Sequence, residues 1–143
     1  MSLLTGADDL AQFIADNYQG RVVEVGAGYV PEVALGLLAR GLDVVLTDKG
    51  ERLLGSLRVE KDDIFSPHLE LYRGASLIYS IRPPLEMQLA MGLLALQVGA
   101  DVLVRPLMDE VAELPGFARR LVNRRQARFY LFSNMLSLAT GVY

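Results

Sequence analysis

The chain has 143 residues, 52% of them hydrophobic and 22% charged, and a formal net charge of −3. That length fits one core, and the apolar share with only 6 prolines excludes an intrinsically disordered chain. With no cysteine, disulfides and thiolate-held metals are excluded, and a single histidine, His68, makes a His-based zinc site or a Ser-His-Asp triad improbable.

The start, Met1-Ser2-Leu3-Leu4, lacks the basic segment and long apolar core of a secretory signal. Leu10, Ala11, Phe13 and Ile14 give Asp8 to Tyr18 the spacing of an amphipathic helix. Arg21 to Val25 reads as a strand. Pro31 to Arg40 follows as a helix, with Pro31 suited to its first turn and Gly41 to its stop. Asp43 to Thr47 is a second, β-branched strand, and Leu57 to Glu60 a less apolar third. His68, after Ser66-Pro67, falls on a short helix with a surface or capping role. Ser76 to Ile81 is the fourth strand, ended by Pro83-Pro84. Leu85 to Val98 reads as a helix, apolar nearly all round and therefore expected to be deeply packed, with Gly99 ending it. Asp101 to Arg105 is a fifth strand, halted at Pro106. The link from Asp109 to Ala118, broken by Pro115 and Gly116, is too short for a long crossover helix. Leu121 to Asn123 and Arg128 to Phe132 flank a polar turn as a terminal hairpin.

Short strands alternating with helices predict one doubly wound α/β domain over residues 1–143, its sheet mostly parallel and covered on both faces. The five parallel strands are expected in the order 3-2-1-4-5, with the hairpin completing one edge. An apolar edge at Phe129 to Phe132 would invite a homodimer unless a helix covers it. The charge-free stretches 87–100 and 129–143 fall short of the roughly 18–20 apolar residues of a spanning helix, so a soluble, cytoplasmic protein without a membrane partner is expected. Every basic residue after Glu113 (Arg119, Arg120, Arg124, Arg125 and Arg128) lies in one short stretch. It is either a solvated turn or a contact for an anion or nucleic acid, and without interleaved aromatics the patch alone does not decide.

The strongest chemical signal is Val22-Val23-Glu24-Val25-Gly26-Ala27-Gly28-Tyr29-Val30-Pro31-Glu32. A buried strand enters Gly-x-Gly and then a helix, where glycine lets the backbone turn tightly and a ligand approach closely. The next strand ends at Asp48, about twenty residues on, where an acid can accept hydrogen bonds from both hydroxyls of a ribose. A nicotinamide dinucleotide calls for a third glycine, and Pro31 stands there. Glu24 adds an electrostatic argument. Its carboxylate beside the turn, about 6 Å from a pyrophosphate, would repel it by roughly 3 kcal/mol at an effective dielectric near 20. An ammonium and a sulfonium would meet no such cost. The pattern favours S-adenosylmethionine over an NAD(P) dinucleotide.

Glu-x-Gly-x-Gly closing one strand, with an acid closing the next, resembles the class I S-adenosylmethionine-dependent methyltransferases, whose fold is a Rossmann-like three-layer α/β/α domain. By that resemblance Glu24, Gly26 and Gly28 line the methionine end and Asp48 holds the ribose. Asp63, within Asp62-Asp63-Ile64-Phe65, presents an acid to the adenine amino group. Tyr29 is a candidate for stacking on the adenine, and Ser80 ends the strand facing the cofactor. Asp-Asp-Ile-Phe together with Tyr79-Ser80-Ile81-Arg82-Pro83-Pro84-Leu85-Glu86 more closely resembles a family of short, uncharacterised archaeal proteins related to methyltransferases. That resemblance implies a fold and no reaction. In amino-directed methyltransferases an acid or amide precedes Pro-Pro and an aromatic follows it; Ile81-Arg82 and Leu85 replace them here.

The rim beyond the fourth and fifth strands carries Arg82 and Arg105, each followed by proline. Two guanidinium groups there suit a carboxylate or phosphate, so Arg82, Glu86 and Arg105 are the candidate substrate contacts and an anionic substrate is expected. Alternatively each arginine pairs with Glu86 or Asp109 and only fixes loops. Glu86 is a candidate base or a helix cap. No residue stands out as catalytic, and methyl transfer needs little beyond positioning of an already activated sulfonium. Three functions stay open: a small methyltransferase, a non-catalytic module using the same fold to bind a ligand or partner, and an NAD(P)-binding domain.

Overall fold

The computed structural model describes residues 4–136. In chain order the elements are α1 (Ala7–Asn17), β1 (Arg21–Val25), α2 (Glu32–Ala39), β2 (Asp43–Asp48), β3 (Arg52–Leu54), β4 (Leu57–Lys61), α3 (Leu69–Tyr72), β5 (Ala75–Ile81), α4 (Leu85–Val98), β6 (Asp101–Arg105), β7 (Phe117–Arg124) and β8 (Ala127–Asn134). They build one sheet in the order β3-β4-β2-β1-β5-β6-β8-β7. The strands β4, β2, β1, β5 and β6 run parallel, in the 3-2-1-4-5 order expected from the sequence. The hairpin β7–β8 joins antiparallel through β8 to β6, and β3 adds an antiparallel edge beside β4.

Both sheet faces are buried because both sets of alternate side chains are apolar. Val22, Leu77, Tyr79, Leu103 and Phe129 meet Leu10, Phe13 and Ile14 of α1 and Val33 and Leu37 of α2 on one face. Val23, Ile78, Val102 and Phe132 meet Met91 and Leu94 of α4 on the other. Gln88, fully buried, ties α4 to the irregular link that follows β6. Its Nε2 donates to Pro83 O at 3.0 Å and Glu110 O at 2.8 Å, and its Oε1 accepts from Ala112 N at 2.8 Å.

Two expectations are corrected, and one strand is new. Leu85, Leu89 and Leu93, one turn apart along α4, are exposed, because the sheet covers only the opposite side of a helix that is apolar all round. The segment Phe129 to Phe132 is no edge: β8 lies between β6 and β7, and Phe129 and Phe132 are completely buried. The edge β3 was not foreseen, since three residues between Gly50 and Gly55 carry no strand periodicity. Among the described residues no helix is long and apolar enough to cross a membrane. The end of the charge-free stretch, residues 137–143, lies outside the described residues.

Candidate functional site

The parallel strands end together on one rim. Beyond β1 the chain turns at Gly26 (φ 67°) and Gly28 (φ 58°), left-handed conformations that cost any other residue more than glycine. A Cβ at Gly26 would sit 3.5 Å from both Sδ and Cε of Met87, so this backbone passes directly under the first turn of α4. The register of β1 with β2 sets Val25 against Thr47, and Ala27 N donates to Thr47 O at 3.0 Å. Asp48 therefore ends β2 beside the glycine turn. Its Oδ2 accepts from Gly28 N at 3.0 Å and from Arg52 Nη1 at 2.9 Å, and its Oδ1 from Lys49 N at 2.9 Å. Partial burial works against the Asp48 charge, but the Arg52 guanidinium and the two amides outweigh it and hold the carboxyl below its ordinary range.

These elements enclose a cleft of about 340 Å³. Val25, Ile64, Phe65 and Met87 give it apolar walls, and Asp48, Lys49, Asp62 and Glu86 give it polar ones. Asp62 is buried and fully engaged: the Tyr72 hydroxyl donates to Oδ2 at 2.6 Å, while His68 N and Nδ1 both lie 2.9 Å from Oδ1. That clamp ties the loop after β4 to α3 and presents Ile64 and Phe65 to the cleft. Among the described residues no cluster of His, Asp or Glu is placed to hold a metal ion.

Of the residues singled out in the sequence, Gly26, Asp48 and Glu86 line the cleft, and Gly28 contributes through its amide bond to Asp48. Ser80 lies beneath the floor, donating to Val25 O at 2.6 Å. Asp63 is exposed, its Oδ1 accepting from Phe65 N at 3.0 Å, and it is Asp62 that reaches the wall. Tyr29 is 75% exposed and lies under the Arg52 guanidinium, 4.6 Å from the ring centre, outside the lining. Glu24 turns away. Its Oε1 accepts from the Tyr79 hydroxyl at 2.7 Å inside the layer packed by α1 and α2. Burial above all, opposed by that bond and reinforced by the nearby Asp48 charge, raises its pKa to about 8. Glu24 is thus largely protonated at neutral pH, and the repulsion of a pyrophosphate argued from the sequence loses its source.

Sequence reasoning missed Arg52, Met87, Ile64 and Phe65. Arg52 stands four residues after Asp48, a spacing that could have flagged a partner, and Met87 stands in the first turn after Pro-Pro. Farther along the rim, Arg82 adopts φ 58° and its amide donates to Arg105 O at 2.7 Å. Neither guanidinium has a carboxylate partner among the described residues, so the pairing with Glu86 or Asp109 weighed from the sequence is not formed.

The comparisons with known proteins bear on this arrangement. Residues 7–134 match a family described as an uncharacterised protein family, UPF0146. The chain belongs to that family. A UPF0146 protein of Archaeoglobus fulgidus is 45% identical over 123 residues, spanning 85% of this chain and 91% of its own length. In three dimensions the chain is similar to a putative RNA methyltransferase from Pyrococcus horikoshii, with TM-score 0.60 and 16% identity over 92% of this chain and 82% of that one. It is also similar to the glycopeptide N-methyltransferase MtfA, solved with S-adenosyl-L-methionine, with TM-score 0.56 and 12% identity over 96% and 82% of the two chains. At such identities the likeness concerns the fold: the UPF0146 chain has the Rossmann-like architecture of class I methyltransferases.

Proposed function

We propose that the UPF0146 chain binds S-adenosylmethionine in the cleft at the ends of β1 and β2 and acts as a small methyltransferase. The observation that carries this reading is the joint position of Gly26, Gly28 and Asp48. A bare glycine backbone forms the floor, and a carboxylate is fixed at the lip by the Gly28 amide. The residues present fit the cofactor. Ile64, Phe65 and Met87 offer apolar contact for an adenine, Asp48 accepts from ribose hydroxyls, and Glu86 offers a charge to an ammonium group. When bound, the cofactor supplies an electrophilic methyl group that needs no further activation. The chain's own part is to orient and to exclude water: Met87 closes over Gly26, and the Asp62 clamp holds Ile64 and Phe65 in place. With Glu24 withdrawn and largely neutral, preference over a dinucleotide rests on Pro31 in the third glycine position and on Glu86 at the wall, since Asp48 would serve the ribose of either cofactor.

One observation favours the second reading, a non-catalytic scaffold: Arg52 already holds the Asp48 oxygen that a ribose would use. Calorimetric titration with S-adenosylhomocysteine tests the cofactor pocket on which the first reading depends, and turnover then separates the two. Methyltransferase function requires affinity in the micromolar range and a loss of roughly tenfold or more in Asp48→Ala, about the worth of one hydrogen bond to a charged group. Absence of binding to the wild-type protein would leave the scaffold reading standing.

A further inference from the structure

A second cavity, of about 250 Å³, opens on the same rim and is lined by Thr5, Arg105, Asp109, Gln126, Arg128 and Tyr130 among others. It shares no lining residue with the cofactor cleft, yet one loop joins them. At its start the Arg82 amide is bonded to Arg105 O, and a few residues on, Pro84, Glu86 and Met87 wall the cleft. Arg21, Arg40, Arg52, Arg58, Arg73 and Arg124 all hold carboxylates. Arg119, Arg120 and Arg125 on the hairpin hold none among the described residues, and neither do Arg82, Arg105 and Arg128, of which Arg105 and Arg128 share one cavity with Asp109. Burial and the nearby Arg82 charge lower the pKa of Arg105, so the fold brings two like charges near each other with neither in an ion pair among the described residues. The backbone is strained at the same place: Arg82 and Met108, the latter also on the cavity wall, both sit at φ 58°.

We infer that this cavity is a binding site for a phosphomonoester, with Arg105 and Arg128 gripping the phosphate and Arg82 completing its charge balance. Three guanidinium groups against the single Asp109 carboxylate leave an excess that suits a group carrying close to two negative charges at neutral pH, rather than a carboxylate. Guanidinium forks match phosphate oxygens in pairs. Tyr130 and Met108 provide an aromatic and apolar wall for the remainder of the molecule. That this molecule is the methyl acceptor rests on the cofactor reading above; the anion site itself does not.

The test is calorimetric titration at low salt with phenyl phosphate, with benzoate and inorganic phosphate in parallel. Phenyl phosphate is expected to bind more tightly than benzoate, and Arg105→Gln and Arg128→Gln are each expected to weaken it roughly tenfold or more. Arg125→Gln, on the same hairpin but outside the cavity, should leave it unchanged. Arg105 has no acidic partner to lose, so Arg105→Gln should melt at or above the wild-type temperature. A lower melting temperature with unchanged phenyl phosphate affinity assigns Arg105 to structure and overturns the proposal. Binding of a 5′-hydroxyl RNA oligonucleotide with none of phenyl phosphate overturns it in favour of a nucleic-acid contact. S-adenosylhomocysteine titrated into the same proteins keeps the two readings apart. Phenyl phosphate binding without it removes only the acceptor assignment, whereas its binding without phenyl phosphate removes only the anion site.

Discussion

Glu24 keeps a carboxyl group at 1% exposure against the Tyr79 hydroxyl, and the fold accommodates it by retaining the proton to about pH 8. In the unfolded chain a glutamate releases that proton near about pH 4.3. Between the two values the folded state binds a proton that the unfolded state lacks, so stability falls as pH rises, by up to about 1.4 kcal/mol per unit. The contribution is fully present below the unfolded value and is lost through the folded one. Asp48 has the opposite sign: its lowered pKa stabilises above the ordinary carboxylate range and is lost on acidification. Glu24→Gln keeps the shape and the acceptor for Tyr79 but cannot ionise. Thermal melts from pH 5 to 9 should therefore show a flatter profile and a higher melting temperature at pH 8 than the wild type; parallel profiles would mean that Glu24 is charged in the fold. The inward turn of this side chain was not legible in the sequence. In a strand buried on both faces the period of two puts Glu24 on the side of Val22, opposite Val23 and Val25, but only the fold shows that α1 and α2 cover that side and that the Tyr79 hydroxyl meets the carboxyl there. Asp48 was legible because a strand end leaves it one place to go. The choice of Asp63 over Asp62 failed to reach the wall because two adjacent acids in a turn point opposite ways, and the Tyr72 and His68 partners that select Asp62 come from a later element.

Helices α1 and α2 lie on the same face, and their closest approach is at Gly36, where a Cβ would come within 2.9 Å of the Ala11 Cβ. That neighbour is a methyl carbon bonded directly to the backbone and cannot rotate aside. Gly36→Ala gains about 1 kcal/mol of helix propensity, and overpacking against a fixed backbone costs about 1–3 kcal/mol. The net expectation is destabilisation of about 1 kcal/mol in urea unfolding. Ala11→Gly in the same chain removes the clash, so the double variant should lose less than the sum of the two single changes. Strict additivity would show that the helices separate without cost. At this scale the sequence was most readable where apolar runs meet glycine or proline: α4 begins after Pro83-Pro84 and ends before Gly99, where it was expected. It was least readable where an element exists only through its partner. Strand β3 is three residues made extended by pairing Arg52 with Val59 and Leu54 with Leu57. Strand β7 begins at Phe117, ahead of the expected Leu121, because exposed Arg119 and Arg120 interrupt the apolar pattern on a strand that has one neighbour among the described residues.

The whole sheet has two edges, and they are protected differently. The β3 edge is too short to template another strand, whereas β7 runs for eight residues with Ala118, Arg119, Arg120, Leu121 and Asn123 exposed. An eight-residue open edge would ordinarily recruit a second copy. Two copies meeting antiparallel along β7 would bring their arginine rows into one ladder, where like charges oppose pairing. The basic stretch on an otherwise acidic chain thus serves two ends: Arg128 faces the anion cavity on β8, and Arg119 and Arg120 guard the outer strand. Replacing both guards, Arg119→Val with Arg120→Val, converts the edge into a β-branched one; it leaves the cofactor cleft alone and removes the Arg119 guanidinium from over the Tyr130 ring at the anion cavity. Sedimentation at rising concentration should then show association beyond that of the wild-type protein. Raising the salt to about 1 M, where charge repulsion is screened beyond about 3 Å, should move the wild-type protein in the same direction. If the double variant sediments as the wild type does in both conditions, the twist of the hairpin, and not its charge, keeps the edge closed.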